Sequence, residues 1–285
     1  MSKIIFITGA GTGFGRLMAI TLSKEGHQVI AGIREVAGRN KAVAEVLSDY
    51  PNITVAEIDI LNDYSVQEAF KQVFAKYGHL DVLVNNAAVT GFGLLEAYSI
   101  NRIKEMFEVN FYGVIRTYQA VLPEMRRARK GLIINITSGA SGHTLPFMIP
   151  YFASKFGVES ITEGIQEELA QFGIENVSIQ PGVYPTEMNN GQKPGISSDK
   201  PEITKQYDPI GSEMLNGIGA GMLGRMQQFN MDPQVIADGV LALINMKEGT
   251  RPLRYPLDAI AEGTDTEFIN ARAEIKSRWL KKYTV

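Results

Sequence analysis

Short runs of β-branched and other apolar residues alternate with longer segments of helical period along most of this chain. That alternation restricts the fold more than any other feature. Residues 4–8, 29–33, 53–58, 82–84, 132–136, 177–179 and 253–257 read as strands. Phe14, Leu17, Met18 and Leu22 recur at helical spacing up to Gly26, and further helices are expected at 41–49, 64–77, 100–129, 152–172 and 233–246. Strands that are apolar throughout suit a sheet covered on both faces, as parallel strands are. Strand–helix alternation with right-handed crossovers then gives an α/β fold: a mostly parallel, seven-stranded, doubly wound sheet with helices on both faces. Pro256, inside the last run, suits an edge strand.

No linker, repeat or low-complexity tract divides the 285 residues, so 1–285 is expected to form a single domain. Composition shifts only over 187–231, rich in Met, Gly, Asn and Gln. This stretch is expected either to form an adaptable, methionine-lined substrate lid or to be a plain pair of helices with methionine as core filler. The absence of cysteine removes disulfides, zinc–thiolate sites and thiol nucleophiles. A net charge of −3 argues against a nucleic-acid partner. No apolar run approaches the ~18 residues that span a bilayer. The opening Met1-Ser2-Lys3 runs into Ile4 and a glycine turn too soon for a signal peptide, so a cytoplasmic location is expected.

The turn Thr8-Gly9-Ala10-Gly11-Thr12-Gly13-Phe14-Gly15 joins the first strand to the first helix. Gly9 permits a tight turn, Gly13 lets the backbone approach a pyrophosphate, and Gly15 lets the helix pack close to the sheet. The helix N-terminus presents free N–H groups and a partial positive charge. Together these predict a dinucleotide on a Rossmann sheet. The second strand ends Ala31-Gly32-Ile33-Arg34, where an acid would accept hydrogen bonds from an adenosine ribose. A guanidinium there grips a 2′-phosphate instead, so NADP is expected in preference to NAD. The other reading of Arg34 is a solvated loop residue, its field weakened by Glu35.

Tyr151-Phe152-Ala153-Ser154-Lys155 sets a phenol and an ammonium four residues apart, on one face of a helix. A nearby cation favours the phenolate and so suits the phenol to acid–base work. The fifth strand ends Asn135-Ile136-Thr137-Ser138, placing a hydroxyl at the carboxyl rim where open α/β sheets bind ligands.

With these pieces in this order, the chain resembles the short-chain dehydrogenase/reductase family in its single-domain branch. The resemblance runs through the glycine turn, Asp59, Asn85-Asn86-Ala87-Ala88, Asn110, Ser138, Tyr151, Lys155 and Pro181-Gly182-x-x-x-Thr186. It implies hydride transfer between a nicotinamide and a carbonyl or secondary alcohol. In that frame Tyr151 is the general acid or base, and Lys155 lowers its pKa and binds the nicotinamide ribose. Ser138 holds the substrate oxygen, and Asn110 keeps a water that links Lys155 to solvent. For the cofactor it implies contacts from Thr12 and Phe14 in the turn, from Asp59 at the adenine and from Asn86 beside the adenosine ribose. Val183 and Thr186 fix the carboxamide, and Tyr151 and Lys155 also face the cofactor. Ala88 stands where the family has glycine. Homodimers or homotetramers through helices 100–129 and 152–172 are implied by the same resemblance.

Two other functions are open to this pattern: a non-catalytic NADP(H)-sensing module, which could dispense with Ser138, Tyr151 and Lys155, and a sugar-nucleotide epimerase or dehydratase, which spaces its glycines differently. Ser141 is a second hydroxyl near the strand end, but Ser138 ends the strand and is preferred. His27, His79 and His143 are scattered, so no metal site is expected. The run Leu145-Pro146-Phe147-Met148-Ile149, with the methionines of 187–231, points to an apolar substrate, unless the two segments merely pack on each other.

Overall fold

Seven strands form one parallel sheet in the order β3-β2-β1-β4-β5-β6-β7, in a computed structural model that describes residues 2–188 and 195–283. The strands are β1 (Ile4–Thr8), β2 (Gln28–Ile33), β3 (Ile53–Glu57), β4 (Val82–Asn85), β5 (Gly131–Ile136), β6 (Ile174–Pro181) and β7 (Arg254–Leu257). The order reverses between β1 and β4, so a crevice opens at the carboxyl ends of these two strands. Pro256 does lie in an edge strand, since β7 pairs with β6 alone.

Alternate side chains of each strand serve opposite faces. Ile5 and Ile7 of β1, Val29 and Ala31 of β2, and Leu132 and Ile134 of β5 join one core. There they meet Met18 and Leu22 of α1 (Gly13–Lys24), Leu47 of α2 (Lys41–Ser48), and Ile236, Val240 and Leu243 of α9 (Gln234–Asn245). Phe6, Ile30, Leu83 and Ile133 point the other way. They pack on Phe70 of α3 (Asp63–Tyr77), Val121 of α5 (Gly113–Ala128) and Val158 of α6 (Ile149–Ala170). Burial on both faces explains why the strands lack polar alternation.

The second face also holds a satisfied polar network. Asn85 Nδ2 donates to Asn135 Oδ1 at 2.9 Å across paired strands, and Asn135 Nδ2 donates to Tyr118 Oη at 2.7 Å. Tyr118 Oη donates to Asn176 Oδ1 at 2.6 Å. Because every member has a partner, these buried amides fix how α5 and α6 sit on the sheet instead of weakening it.

The single helix expected over 100–129 is interrupted. α4 (Ile100–Phe107) gives way to a wide π-type turn over Glu108–Tyr112 before α5 resumes. Such turns insert one residue into the helical ladder and re-aim a side chain. The residue re-aimed here is Asn110. Over 187–231, α7 (Pro201–Gln206) and α8 (Ile210–Gln228) form a pair of helices, while residues 189–194 of that stretch lie outside the described residues. α10 (Thr264–Leu280) follows β7.

Candidate active site

The crevice begins with the glycine turn. Gly9 and Gly13 have φ of +67° and +51°, backbone that other residues adopt at a cost. A Cβ on Gly9 would come within 2.9 Å of Ala87 Cα, and one on Gly15 would strike the Gly9 carbonyl. The turn is thus pressed against the segment that follows β4. Thr12 is the N-cap residue of α1, and Phe14 packs edge-on against Tyr184 with ring centroids 5.5 Å apart.

Asn86 acts as a clamp on this turn. Its Nδ2 donates to the Thr8 carbonyl at 2.9 Å and the Gly9 carbonyl at 3.2 Å, and its backbone N–H donates to Thr8 Oγ1 at 3.0 Å. Asp59 follows β3 at the same rim; its Oδ1 accepts from Leu61 N–H at 3.0 Å. Thr186 is buried with its Cβ 3.6 Å from the position a Gly13 Cβ would take, so the segment after β6 brings Thr186 against the turn. Arg34 is exposed just beyond β2, and its carbonyl accepts from Asn40 Nδ2 at 2.7 Å. Glu35 is turned toward Arg39, 2.7 Å away. Arg34 itself makes no ion pair among the described residues.

Tyr151 and Lys155 rise from the first turns of α6, where Pro150 sits without loss of a helical hydrogen bond. Burial pushes the Tyr151 phenol up to about 12, and its hydrogen bond with Ser138 is the influence that pulls it back. Burial also pushes Lys155 down to about 8. Its ammonium donates to the Ile136 carbonyl at 2.8 Å, two residues before Ser138. The lowering of the phenol expected from the Tyr151–Lys155 spacing is not among these influences, because burial of the phenol dominates and Ser138 is the neighbour that acts on it.

Ser141 supports Ser138. Its hydroxyl accepts from Ser138 N–H at 3.1 Å, and its own N–H donates to the Ser138 carbonyl at 2.9 Å. Asn110 reaches two elements at once. Its Oδ1 accepts from Val89 N–H at 2.8 Å, and its Nδ2 donates to the Val89 carbonyl and to Ser154 Oγ, each at 2.9 Å. The side chain works as a backbone substitute, joining the loop after β4 to the helical turn that carries Lys155.

An apolar patch adjoins the phenol: Met148 and Phe152 are buried, with Phe92, Tyr151 and Met222 packed against them. Met222 belongs to α8, so one methionine of the 187–231 stretch packs on this patch. Residues 195–200 run beside the loop after β4, with Ile196 N–H donating to Thr90 O at 2.7 Å and Ser198 N–H to Phe92 O at 3.2 Å. Side chains at Gly91 and Gly93 would collide with Ile196 and Ser198, which accounts for Gly-Phe-Gly there. Sequence reasoning passed over this wall because no local signal joins segments a hundred residues apart. Among the described residues no cluster of His, Asp and Glu could hold a metal, and no helix is long and apolar enough to cross a membrane.

A parallel sheet with its switch point beneath a glycine cradle, and a Ser–Tyr–Lys group on the same rim, is the framework of a dinucleotide-dependent oxidoreductase. Residues 3–196 match the short chain dehydrogenase family. The chain is 36% identical over 216 residues to 3-ketodihydrosphingosine reductase of Bacteroides thetaiotaomicron, covering 76% of this chain and 74% of that one. It is 30% identical over 265 residues to retinol dehydrogenase 8 of Homo sapiens, covering 88% and 79%. The solved alcohol dehydrogenase of the archaeon Thermococcus sibiricus, complexed with 5-hydroxy-NADP, superposes with a TM-score of 0.71 at 27% identity, covering 90% of this chain and 96% of that one. The chain belongs to the short-chain dehydrogenase family and is an oxidoreductase of that family.

Proposed function

We propose that this protein reduces a carbonyl group on an apolar substrate with NADPH, and oxidises the corresponding secondary alcohol in reverse. The observation that carries this reading is the Ser138–Tyr151 hydrogen bond at the sheet rim, with Lys155 one helical turn on and an apolar wall alongside. A nicotinamide bound along the glycine turn supplies the hydride. Gly9, Thr12, Gly13, Phe14 and Gly15 would hold its phosphates, Asp59 and Asn86 flank the adenosine, and Val183 and Thr186 meet the carboxamide.

The protein's own part is proton transfer and positioning. Ser138 Oγ holds the substrate oxygen, and Tyr151 Oη gives that oxygen its proton. A phenol held near 12 keeps its proton at neutral pH, as an acid must. The negative charge then left on Tyr151 is offset by the Lys155 ammonium, while Asn110 anchors the turn from which Lys155 projects. Below about 8 Lys155 is cationic and above it neutral, so kcat for reduction should fall as pH rises through about 8. NADPH consumption against a panel of apolar ketones, followed across that pH range, tests the assignment. A panel with no turnover would leave a cofactor-sensing module, and a rate flat on both sides of about 8 would remove the role given to Lys155.

Phe92, Met148, Phe152 and Met222 favour an apolar substrate, and the relatives named for 3-ketodihydrosphingosine and for retinol fit that class. NADP preference rests on Arg34, whose guanidinium makes no ion pair among the described residues while Glu35 is engaged with Arg39. Losing a charge-assisted contact costs about 1.5–3 kcal/mol. Arg34→Ala should therefore lower kcat/KM with NADPH by about tenfold to a hundredfold and leave the NADH value little changed. Equal discrimination between the two cofactors before and after the substitution would end the idea. Exposed Tyr112 and Phe156, on the segments the family uses for association, support a homodimer or homotetramer.

A further inference from the structure

The positive end of α1 is met by an anion of the protein's own. Gly13 N–H donates to Glu187 Oε2 at 2.9 Å, across 174 positions of sequence. α1 has no acidic residue in its first turn, and Thr12 supplies no side-chain cap, so this carboxylate answers the helix end instead. Glu187 makes no ion pair among the described residues. It directly follows Thr186, and both lie 3.6 Å from where a Cβ of Gly13 would stand. The bare glycine surface that would receive a pyrophosphate is the surface on which Glu187 rests.

We infer that Glu187 sets cofactor affinity by competing with the dinucleotide pyrophosphate for the Gly13 N–H. This rests on the reading that the glycine turn holds a dinucleotide. Both groups are anions and both need the same donor, and like charges at this separation repel strongly outside bulk water. Binding the pyrophosphate therefore requires Glu187 to swing away. Since Glu187 adjoins Thr186, that swing accompanies placement of the nicotinamide end. A carboxylate here keeps cofactor binding weaker than the cradle alone would give, which favours exchange of spent for fresh dinucleotide between turnovers.

Calorimetric titration of the purified full chain separates the possibilities. Glu187→Gln and Glu187→Ala should each lower Kd for NADPH by about tenfold, the equivalent of one displaced charge contact. For 2′-AMP, which keeps the adenosine and 2′-phosphate but has no pyrophosphate, Kd should be the same in wild type and variants. NADPH affinity that is unchanged or weaker in both variants, with a lowered Tm, would make Glu187 a helix cap only and overturn the inference. Equal tightening of both ligands would also overturn it, since the effect would not pass through the phosphate cradle. Wild-type protein that binds no NADPH would instead refute the dinucleotide reading beneath it.

Discussion

Tyr151→Phe is expected to lower kcat for carbonyl reduction by about 10²–10⁴ while NADPH binds as before. The substitution removes one oxygen and keeps the ring that packs on Met148 and Phe152. The helix start at Pro150 and the Lys155–Ile136 bond do not depend on that oxygen. The glycine turn's contacts with Asn86, Ala87 and Thr186 do not involve that oxygen either. What disappears is the group proposed to give its proton to the substrate oxygen, together with the partner of Ser138. Loss of turnover with an unchanged Kd is therefore the signature of an acid. Turnover that survives would show that the proton comes from elsewhere, and a loss of NADPH binding in parallel would show that Tyr151 holds the cofactor more than it serves the chemistry.

Arg254→Met should have the largest effect on stability, about 3–5 kcal/mol. Arg254 lies at the start of β7, buried, with its Nε donating to Glu159 Oε1 at 2.6 Å and a second nitrogen paired to Glu163. Glu159 is 1% exposed, and its other oxygen accepts from Ser178 Oγ at 2.6 Å. Removing the guanidinium leaves a buried carboxylate with one hydroxyl for company, which is the costly case for a buried ion pair. Glu163 has further partners in Arg272 and Lys276 of α10, so the damage centres on Glu159. The melting temperature should drop by roughly 10 °C. Adding Glu159→Leu to that variant should recover most of the loss, because the unpaired charge goes with it. If the single variant melts like wild type, the cluster contributes little. Glu159 stands one helical turn beyond Lys155, so the same cluster holds the Lys155 face of α6 against β6 and β7.

Glu163 makes stability, as distinct from turnover, depend on pH. Burial raises its carboxyl, but Lys276, Arg254 and Arg272 together hold it below the usual carboxylate range. A group with a depressed folded-state pKa contributes stability above its unfolded pKa and loses it as pH falls. Acid should therefore loosen the tie between α6, β7 and α10 by this route.

Much of the fold was legible because its signals are local. Apolar runs without alternation announced strands buried on both faces, and β1 spans Ile4–Thr8 as read. The glycines at 9, 13 and 15 answer steric demands visible within eight residues, and the Tyr151–Lys155 spacing places both on one face of α6 by helical geometry alone. What the sequence did not reveal depends on contacts between distant segments. The break at Glu108–Tyr112 has no propensity signal; it exists so that the Asn110 amide can meet Val89 and Ser154. The resemblance implies an adenosine-ribose neighbour in Asn86, and only the packed structure shows its amide clamping the turn.

The sequence by itself determined which residues form strands, where the chain turns tightly and which side chains share a helical face, since steric and periodic rules act within one or two turns. Only the tertiary structure decided that Glu187 rests on Gly13, that Glu159 is paired with Arg254 and that Met222 packs on the Met148–Phe152 cluster beside Tyr151. Those pairings are selected by burial and charge balance in the packed molecule, where any exposed acid or methionine along the chain would have looked the same.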